Sequence, residues 1–104
     1  MKRGEVWWAD LPAPVGRRPV VLLSRDAAYA VRAAVTVAPV TRTIRDIPVE
    51  VALGREEGLP ARCVVNLDDL TTIPKSLLRQ RVGALSATRL VEVEAASRFA
   101  LDLA

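Results

Sequence analysis

The fold is decided by an apolar run in the first quarter of the chain, Pro19-Val20-Val21-Leu22-Leu23-Ser24. A short continuous run of this kind, entered from Gly16 and the pair Arg17-Arg18, is typical of a buried strand. It is far shorter than the about 20 apolar residues that a membrane-spanning helix needs. The run therefore predicts an internal strand of a sheet in a globular protein.

Further segments on both sides of this run are rich in strand-forming residues and end at proline, glycine or polar clusters. The expected strands span residues 5–11, 33–40, 48–53, 62–67 and 81–84, with a short extended piece over 68–72. Loops are expected over 12–18, 41–46 and 25–32, the last with at most one helical turn. A charged turn is expected over 54–60 and one helical turn over 74–79. Short strands at this spacing predict an antiparallel sheet, and closure into a small barrel would remove its exposed edges.

The last fifth of the chain predicts an α-helix. Ser86 is suited to cap its N-terminus, and the helical pattern continues to about residue 103. Five residues fall near one face of this helix: Leu90, Val93, Ser97, Ala100 and Leu101. The expected fold class is therefore mainly β with helices (α+β), in one domain that covers residues 1–104.

Composition excludes several classes of enzyme. The 104 residues include no histidine and one cysteine, Cys63. A Ser-His-Asp or Cys-His nucleophile and a histidine-based zinc site cannot be built, and carboxylates alone would suit magnesium at most. No phosphate-binding glycine motif is present. We therefore expect no metal and no cofactor. The lone cysteine and the lack of an apolar signal segment lead us to expect a cytoplasmic protein with no membrane contact.

The basic residues are almost all arginine. Thirteen of the fifteen basic residues are arginines, and the formal net charge is +3. A guanidinium matches a phosphate bidentately and stacks on bases, which suits nucleic acid. For any single arginine a solvated surface position is the more common use, so charge alone does not identify the partner.

Four stretches of the chain resemble the MazF/PemK toxins of bacterial toxin–antitoxin systems. They are Arg3-Gly4-Glu5-Val6-Trp7; Gly16 with Arg18-Pro19-Val20-Val21; Val37-Ala38-Pro39-Val40-Thr41; and Val64-Val65-Asn66-Leu67-Asp68 with Thr72-Ile73. They occur in the family's order along nearly the whole chain. The resemblance implies a strongly curved antiparallel β-barrel with a C-terminal helix and a homodimer. It also implies metal-independent, sequence-specific cleavage of single-stranded RNA to a cyclic phosphate and a 5′-hydroxyl, which inhibits translation and growth.

The resemblance places the family's catalytic pair on Arg18 and Thr41. A guanidinium and a hydroxyl aimed at a phosphate stabilise the charge that develops during cleavage. Because arginine stays protonated, we expect Arg18 to act electrostatically rather than as a base. Asp10, Asp68, Asp69 and solvent stay open as proton acceptors. The expected RNA-binding residues are Gly16, Arg17, Arg42, Thr43, Asn66 and Asp68, although a strand-end or turn role is an equal reading for Thr43 and Asn66.

The first loop departs from the family pattern. Many relatives carry a longer loop with a glutamate between the glycine and the catalytic arginine, whereas only Arg17 separates Gly16 from Arg18 here. Two other functions stay open: a non-enzymatic toxin of the gyrase-poisoning type on the same barrel, and a catalytically weakened RNA-binding barrel. The expected partners are single-stranded RNA (mRNA, with tRNA and rRNA as further candidates) and a cognate antitoxin with an acidic flexible tail.

Overall fold

Seven strands, two α-helices and three short 3-10 turns make up the chain, and the computed structural model describes all of residues 1–104. The strands are β1 (Glu5–Asp10), β2 (Arg17–Leu22), β3 (Ala34–Thr41), β4 (Glu50–Leu53), β5 (Cys63–Asn66), β6 (Thr71–Pro74) and β7 (Leu78–Ala84). The helices are α1 (Ala28–Val31) and α2 (Ala87–Leu101). The 3-10 turns span Arg55–Glu57, Leu67–Asp69 and Lys75–Leu77.

All strand pairs are antiparallel, in the order β4-β5-β3-β2-β1-β7, with β6 paired to β3. One edge of β3 changes partner along its length, from β6 at residues 34–37 to β5 at residues 40 and 41. Pro39 lies in the gap between these two pairings. Proline has no backbone N–H to donate, so at this position it breaks no hydrogen bond to either partner strand along that edge. The C-terminal end of β3 is thereby brought next to β5.

Residues 19–23 show no alternation of apolar and polar side chains because the sheet is covered on both faces. Val20 and Leu22 pack into one buried cluster with Ala9, Val35, Val37 and Ile73. Val21, between them, packs into a second cluster on the other face, which includes Val93 and Ala96 of α2. Neighbouring strand residues point to opposite faces, so a strand covered on both sides has no polar alternation. The prediction of a buried strand is confirmed.

The sheet curls into a half-barrel, and a contact between backbones brings its two ends together. A Cβ atom at Gly83 of β7 would lie 2.2 Å from the carbonyl oxygen of Glu57, and one at Gly58 would lie 2.6 Å from the carbonyl oxygen of Val82. Only glycine permits backbones to approach this closely. The predicted curved antiparallel fold with a C-terminal helix is confirmed. Glycine contacts, rather than hydrogen bonds between β4 and β7, join its ends.

The prediction that Arg17 and Arg18 lie in a loop is wrong. Strand β2 already begins at Arg17, and Arg17 and Arg18 pair with Asp10 and Ala9 of β1. The connecting loop is tight: the Leu11 amide donates to the Gly16 carbonyl at 3.1 Å, and Gly16 has φ +69°. Because this turn needs only residues 11–16, both arginines are held by a strand ladder.

The region between residues 68 and 84 also differs from the prediction. The expected extended piece is a 3-10 turn over Leu67–Asp69 followed by β6, which pairs with β3. The expected helical turn is limited to Lys75–Leu77, and β7 begins at Leu78 rather than at residue 81. Pairing with β1 extends β7 beyond its apolar part, so its first half carries exposed polar residues that gave no strand signal.

Helix α2 begins as predicted, with the Ser86 hydroxyl accepting the Arg89 amide at 3.1 Å. Val93 and Ala96 are its buried residues, whereas Leu101 is 54% exposed. Leu101, which the sequence groups near the same face as Val93, is therefore not buried with it. At about 100° per residue, Leu101 lies about 80° around the helix from Val93 and past the stripe that meets the sheet.

Candidate active site

An open cleft of about 430 Å³ lies where the ends of three strands meet. Its volume is within the range of small-ligand sites. One side of the cleft is formed by residues of the paired strands β1 and β2, namely Trp8, Arg17, Arg18 and Pro19. The opposite side and floor are Val40, Thr41, Arg42, Thr43, Leu59, Pro60, Ala61 and Cys63. The cleft therefore combines rigid strand ends with two loops, the segments 42–49 and 58–62.

The cleft carries positive charge that no ion pair within the chain neutralises. Arg17, Arg18 and Arg42 all line it, and no aspartate or glutamate does. The chain's ion pairs use other arginines, namely Arg3, Arg79, Arg81 and Arg89. Three arginines without an ion-pair partner line it beside apolar side chains, and such a lining suits an anion with several oxygens, such as a phosphodiester.

Arg18 is held in place by the backbone rather than by a carboxylate. It pairs with Ala9 in the β1–β2 ladder, and its side chain is half-buried at the start of β2. A half-buried cation without a partner loses part of its hydration and gains when a phosphate oxygen binds. The strand thus supplies a preoriented and unsatisfied guanidinium.

Thr41 ends β3, and its hydroxyl has a fixed position. Its Oγ1 accepts the backbone N–H of Thr43 at 3.2 Å. That bond uses one acceptor site of the hydroxyl and leaves its own proton free to donate. Thr41 and Arg18 line the same cleft from different strands, so the sequence-predicted catalytic residues are brought together.

Trp8 and Arg17 contact each other at the edge of the cleft. The Arg17 Cζ atom lies 5.0 Å from the Trp8 ring centroid, within the range of a cation–π contact. Trp7, the preceding residue, packs against the cluster on the other face and donates its Nε1 proton to Glu5 at 2.9 Å. Because the two tryptophans are neighbours on a strand, their side chains point to opposite faces: Trp7 packs against the core and Trp8 lines the cleft.

Cys63 opens β5 at the floor of the cleft and is only 4% exposed. Burial raises the pKa of the Cys63 thiol, the nearby Glu57 carboxylate adds to the rise, and Arg42 offsets part of it. The thiol is therefore protonated at neutral pH and unsuited to nucleophilic work. Cys63 is thus a small buried residue that lines the cleft.

Three residues expected to bind RNA lie outside the cleft lining. Gly16 precedes Arg17 and shapes the turn that starts β2. Asn66 is buried, and its Oδ1 accepts the Asp68 amide at 2.9 Å, which matches the turn role left open for it. Asp68 is exposed in the 3-10 turn after β5. A role of these residues in RNA contact stays a prediction.

The three aspartates considered as proton acceptors also lie outside the lining. Asp10 accepts from Arg79 Nε at 2.7 Å, and Asp68 and Asp69 belong to the turn at Leu67–Asp69. The wall formed by Leu59, Pro60 and Ala61 was not predicted from the sequence. No local signal marks that wall, because it joins the cleft only through the glycine contacts that close the sheet.

No group of three or more His, Cys, Asp or Glu side chains in the structure is arranged to hold a metal ion. Helices long and apolar enough to cross a membrane are also absent.

A curled antiparallel sheet with a cationic cleft at its strand ends and a C-terminal helix defines a class of small bacterial toxins. The chain belongs to the family described as PemK-like, MazF-like toxins of type II toxin–antitoxin systems, which it matches over residues 2–101. The predicted family is confirmed.

Particular relatives are similar over nearly their whole length. The chain is 43% identical over 101 residues to the "Probable endoribonuclease MazF5" of Mycobacterium tuberculosis, which covers 96% of this chain and 92% of the relative. The structure superposes on the Mycobacterium tuberculosis toxin MazF-mt6 with a TM-score of 0.90 at 33% identity, over 96% and 98% of the two chains. An endoribonuclease from a mycobacterial species, solved in complex with its cognate antitoxin, gives a TM-score of 0.89 at 30% identity, over 100% and 97%.

Proposed function

We propose that this protein is the toxin of a toxin–antitoxin pair and an endoribonuclease that cleaves single-stranded RNA at a short sequence without a metal ion. The observation that carries the proposal is the cleft that Thr41 lines together with three arginines, none of which has an ion-pair partner. Membership of the MazF-like toxin family and the endoribonuclease names of its relatives support RNA cleavage. Cleavage of messenger RNA stops translation and growth, and transfer or ribosomal RNA are further substrates of the same chemistry.

The proposed reaction is an internal transesterification. The ribose 2′-oxygen attacks the adjacent phosphorus, the bond from phosphorus to the 5′-oxygen breaks, and the products end in a 2′,3′-cyclic phosphate and a 5′-hydroxyl. Negative charge grows on the non-bridging oxygens as the new bond forms. The Arg18 guanidinium and the Thr41 hydroxyl donate to those oxygens, and loss of one such donor typically costs about 10² to 10³ in rate.

The proton of the attacking hydroxyl goes to solvent in this proposal. Arginine stays protonated, and the Cys63 thiol is protonated at neutral pH. No carboxylate lines the cleft, and Asp10 is already paired with Arg79. The cleft is open, so water reaches the reacting groups and also supplies the proton that the departing 5′-oxygen takes up.

Arg17, Arg42 and Thr43 are the proposed RNA-binding residues within the cleft. Both arginines are exposed and unpaired, and each can hold a phosphate that flanks the reacting one. The Thr43 side chain lies on the loop after β3, where it can reach a base edge of an unstacked nucleotide.

The proposed partners are a cognate antitoxin with an acidic flexible tail and a second copy of the chain, both in the cytoplasm. A solved relative is an endoribonuclease in complex with its cognate antitoxin. An acidic tail suits three unpaired arginines beside apolar side chains, and it would occupy the site that RNA needs. Antitoxin peptide and RNA are therefore expected to compete.

The first test is incubation of the wild-type protein with a long RNA of mixed sequence in EDTA, with both product ends mapped. Cuts at one short motif, each leaving a cyclic phosphate and a 5′-hydroxyl, are expected. Intact RNA across all sequences would overturn the proposal. RNA that is bound but not cut would instead favour the weakened RNA-binding barrel, and toxicity without RNA binding would favour a gyrase-poisoning type.

A further inference from the structure

We propose that Trp8 is a base-stacking subsite and that Arg17 covers it until RNA arrives. This inference deepens the proposed function and rests on it. In the free protein Arg17 lies over the Trp8 ring, 5.0 Å from its centroid. On binding, an unpaired base takes the ring face, and the displaced guanidinium moves to an RNA phosphate.

The spacing shows that base and guanidinium cannot share this face of the ring. Flat groups in van der Waals contact lie about 3.5 Å apart, so a base inserted between them would need about 7 Å. The observed 5.0 Å between the Arg17 guanidinium and the Trp8 ring leaves no room for a base between them. An incoming base must therefore displace Arg17 rather than slide beneath it.

The exchange is favourable because Arg17 is weakly held and Trp8 is well placed. Arg17 is exposed and has no carboxylate partner, and an exposed cation–π contact is among the weaker ones. Trp8 is half-buried on a paired strand, so its ring needs little ordering when a base stacks on it. Stacking of a base on an aromatic side chain changes affinity by about 5- to 150-fold, which corresponds to about 1 to 3 kcal/mol.

The short loop of this chain is what makes the arrangement possible. Because the turn ends at Gly16, Arg17 is the first residue of β2 and pairs with Asp10. Trp8 pairs with Pro19, two residues along β2, so Trp8, Pro19 and Arg17 share one face of the sheet. A second arginine thus lies over the tryptophan rather than in the connecting loop.

The test is a binding series with a non-cleavable RNA, made by placing a 2′-deoxynucleotide at the cut site of the mapped motif. Abasic nucleotides are introduced one position at a time, and Kd is measured for wild type, Trp8→Leu and Trp8→Phe. One abasic position is expected to weaken wild type by about 5- to 150-fold and Trp8→Leu by less than about twofold, with Trp8→Phe in between. Equal losses in wild type and Trp8→Leu at every position would overturn the stacking subsite.

Arg17 has its own readout in the salt dependence of binding. Arg17→Gln is expected to lower the slope of log K against log salt by about 0.7, the value for one phosphate on a single strand. Arg17→Gln should still lose affinity when the nucleotide at the stacking position is abasic. The matched control is Arg25→Gln, which removes an exposed arginine outside the cleft and should leave the slope unchanged. A slope that is the same in Arg17→Gln and wild type would overturn the transfer to phosphate.

Fluorescence separates this inference from the proposed function. In a Trp7→Phe background Trp8 is the sole tryptophan, and its emission should change when the non-cleavable RNA binds. Normal cleavage with no emission change and no abasic coupling would refute the subsite and leave the ribonuclease intact. Failure of wild type both to bind and to cleave RNA would refute both.

Discussion

Replacing Gly83 by alanine should open the end of the half-barrel. The added Cβ would lie 2.2 Å from the Glu57 carbonyl oxygen and 2.9 Å from its carbon, both backbone atoms that cannot rotate away. Overpacking of this kind costs about 1 to 3 kcal/mol. For a domain of this size each kcal/mol lowers Tm by about 4 to 8 °C. Thermal unfolding followed by circular dichroism measures the shift directly.

Three other glycines supply matched controls for this substitution. Gly54 has extended backbone and no atom within 4 Å of an added Cβ, so Gly54→Ala should leave Tm almost unchanged. Gly16 also has open space but φ +69°, so Gly16→Ala should cost only the left-handed strain of about 1 to 2 kcal/mol. Gly58 combines φ +87° with a 2.6 Å contact and should be the most damaging. A Gly83→Ala protein as stable as Gly54→Ala would refute the closure by backbone contact.

The same substitution should affect the cleft as well as stability. Gly58 directly precedes Leu59, Pro60 and Ala61, which form one wall of the site. Displacing the contact between Gly83 and Glu57 is expected to shift that wall relative to Arg17 and Arg18. RNA cleavage by Gly83→Ala, measured well below its Tm, is expected to be slower than that of Gly54→Ala.

Three further predictions concern single side chains. Burial acts to raise the pKa of Glu5, but hydrogen bonds from Trp7, Lys2 and Arg81 outweigh it and hold that pKa below its ordinary value. Glu5→Gln should therefore lower the free energy of unfolding at pH 7 by about 1 to 3 kcal/mol. The difference from wild type should shrink as pH falls below about 4, because the carboxylate is then protonated in wild type as well. Urea titrations at several pH values measure this difference. An undiminished gap in acid would contradict this. Because burial raises the pKa of the Cys63 thiol, alkylation by iodoacetamide at pH 7 should be far slower than that of a free cysteine, and mass spectrometry checks it. Glu50 Oε1 accepts the amides of Arg45 and Asp46 at 2.9 and 3.0 Å, so Glu50→Ala should speed hydrogen exchange at these amides by at least about tenfold, while unchanged exchange would show that the loop is held by other contacts.

The core strands were predictable because burial on both faces leaves a clear apolar run. Residues 19–23 illustrate this, since Val20 and Val21 serve opposite clusters and both must be apolar. The first half of β7 was not predictable, because its exposed Arg79 and Gln80 are held in a strand only by pairing with β1. Local sequence does not report a partner strand about 70 residues away.

Some residues of the candidate site could be predicted from the sequence and others could not. Arg18 and Thr41 could be assigned to the site because the family resemblance places the catalytic pair on them, and both positions adjoin strands visible in the sequence. The wall at Leu59, Pro60 and Ala61 could not, because it reaches the cleft through contacts of Gly58 and Gly83 with backbone from a distant part of the chain. The lack of carboxylate partners for the cleft arginines was also invisible, since it depends on where every acidic residue lies in space.

The most direct test of catalysis in this cleft is the single-turnover rate of RNA cleavage by Arg18→Ala in EDTA. The comparison is with wild type and with Arg25→Ala, which removes the same charge outside the cleft. Arg18→Ala is expected to cleave about 10² to 10³ times more slowly, while Arg25→Ala cleaves at the wild-type rate and all three proteins unfold at similar temperatures. An Arg18→Ala protein that cuts the same motif at the wild-type rate would contradict the assignment of the reaction to this cleft.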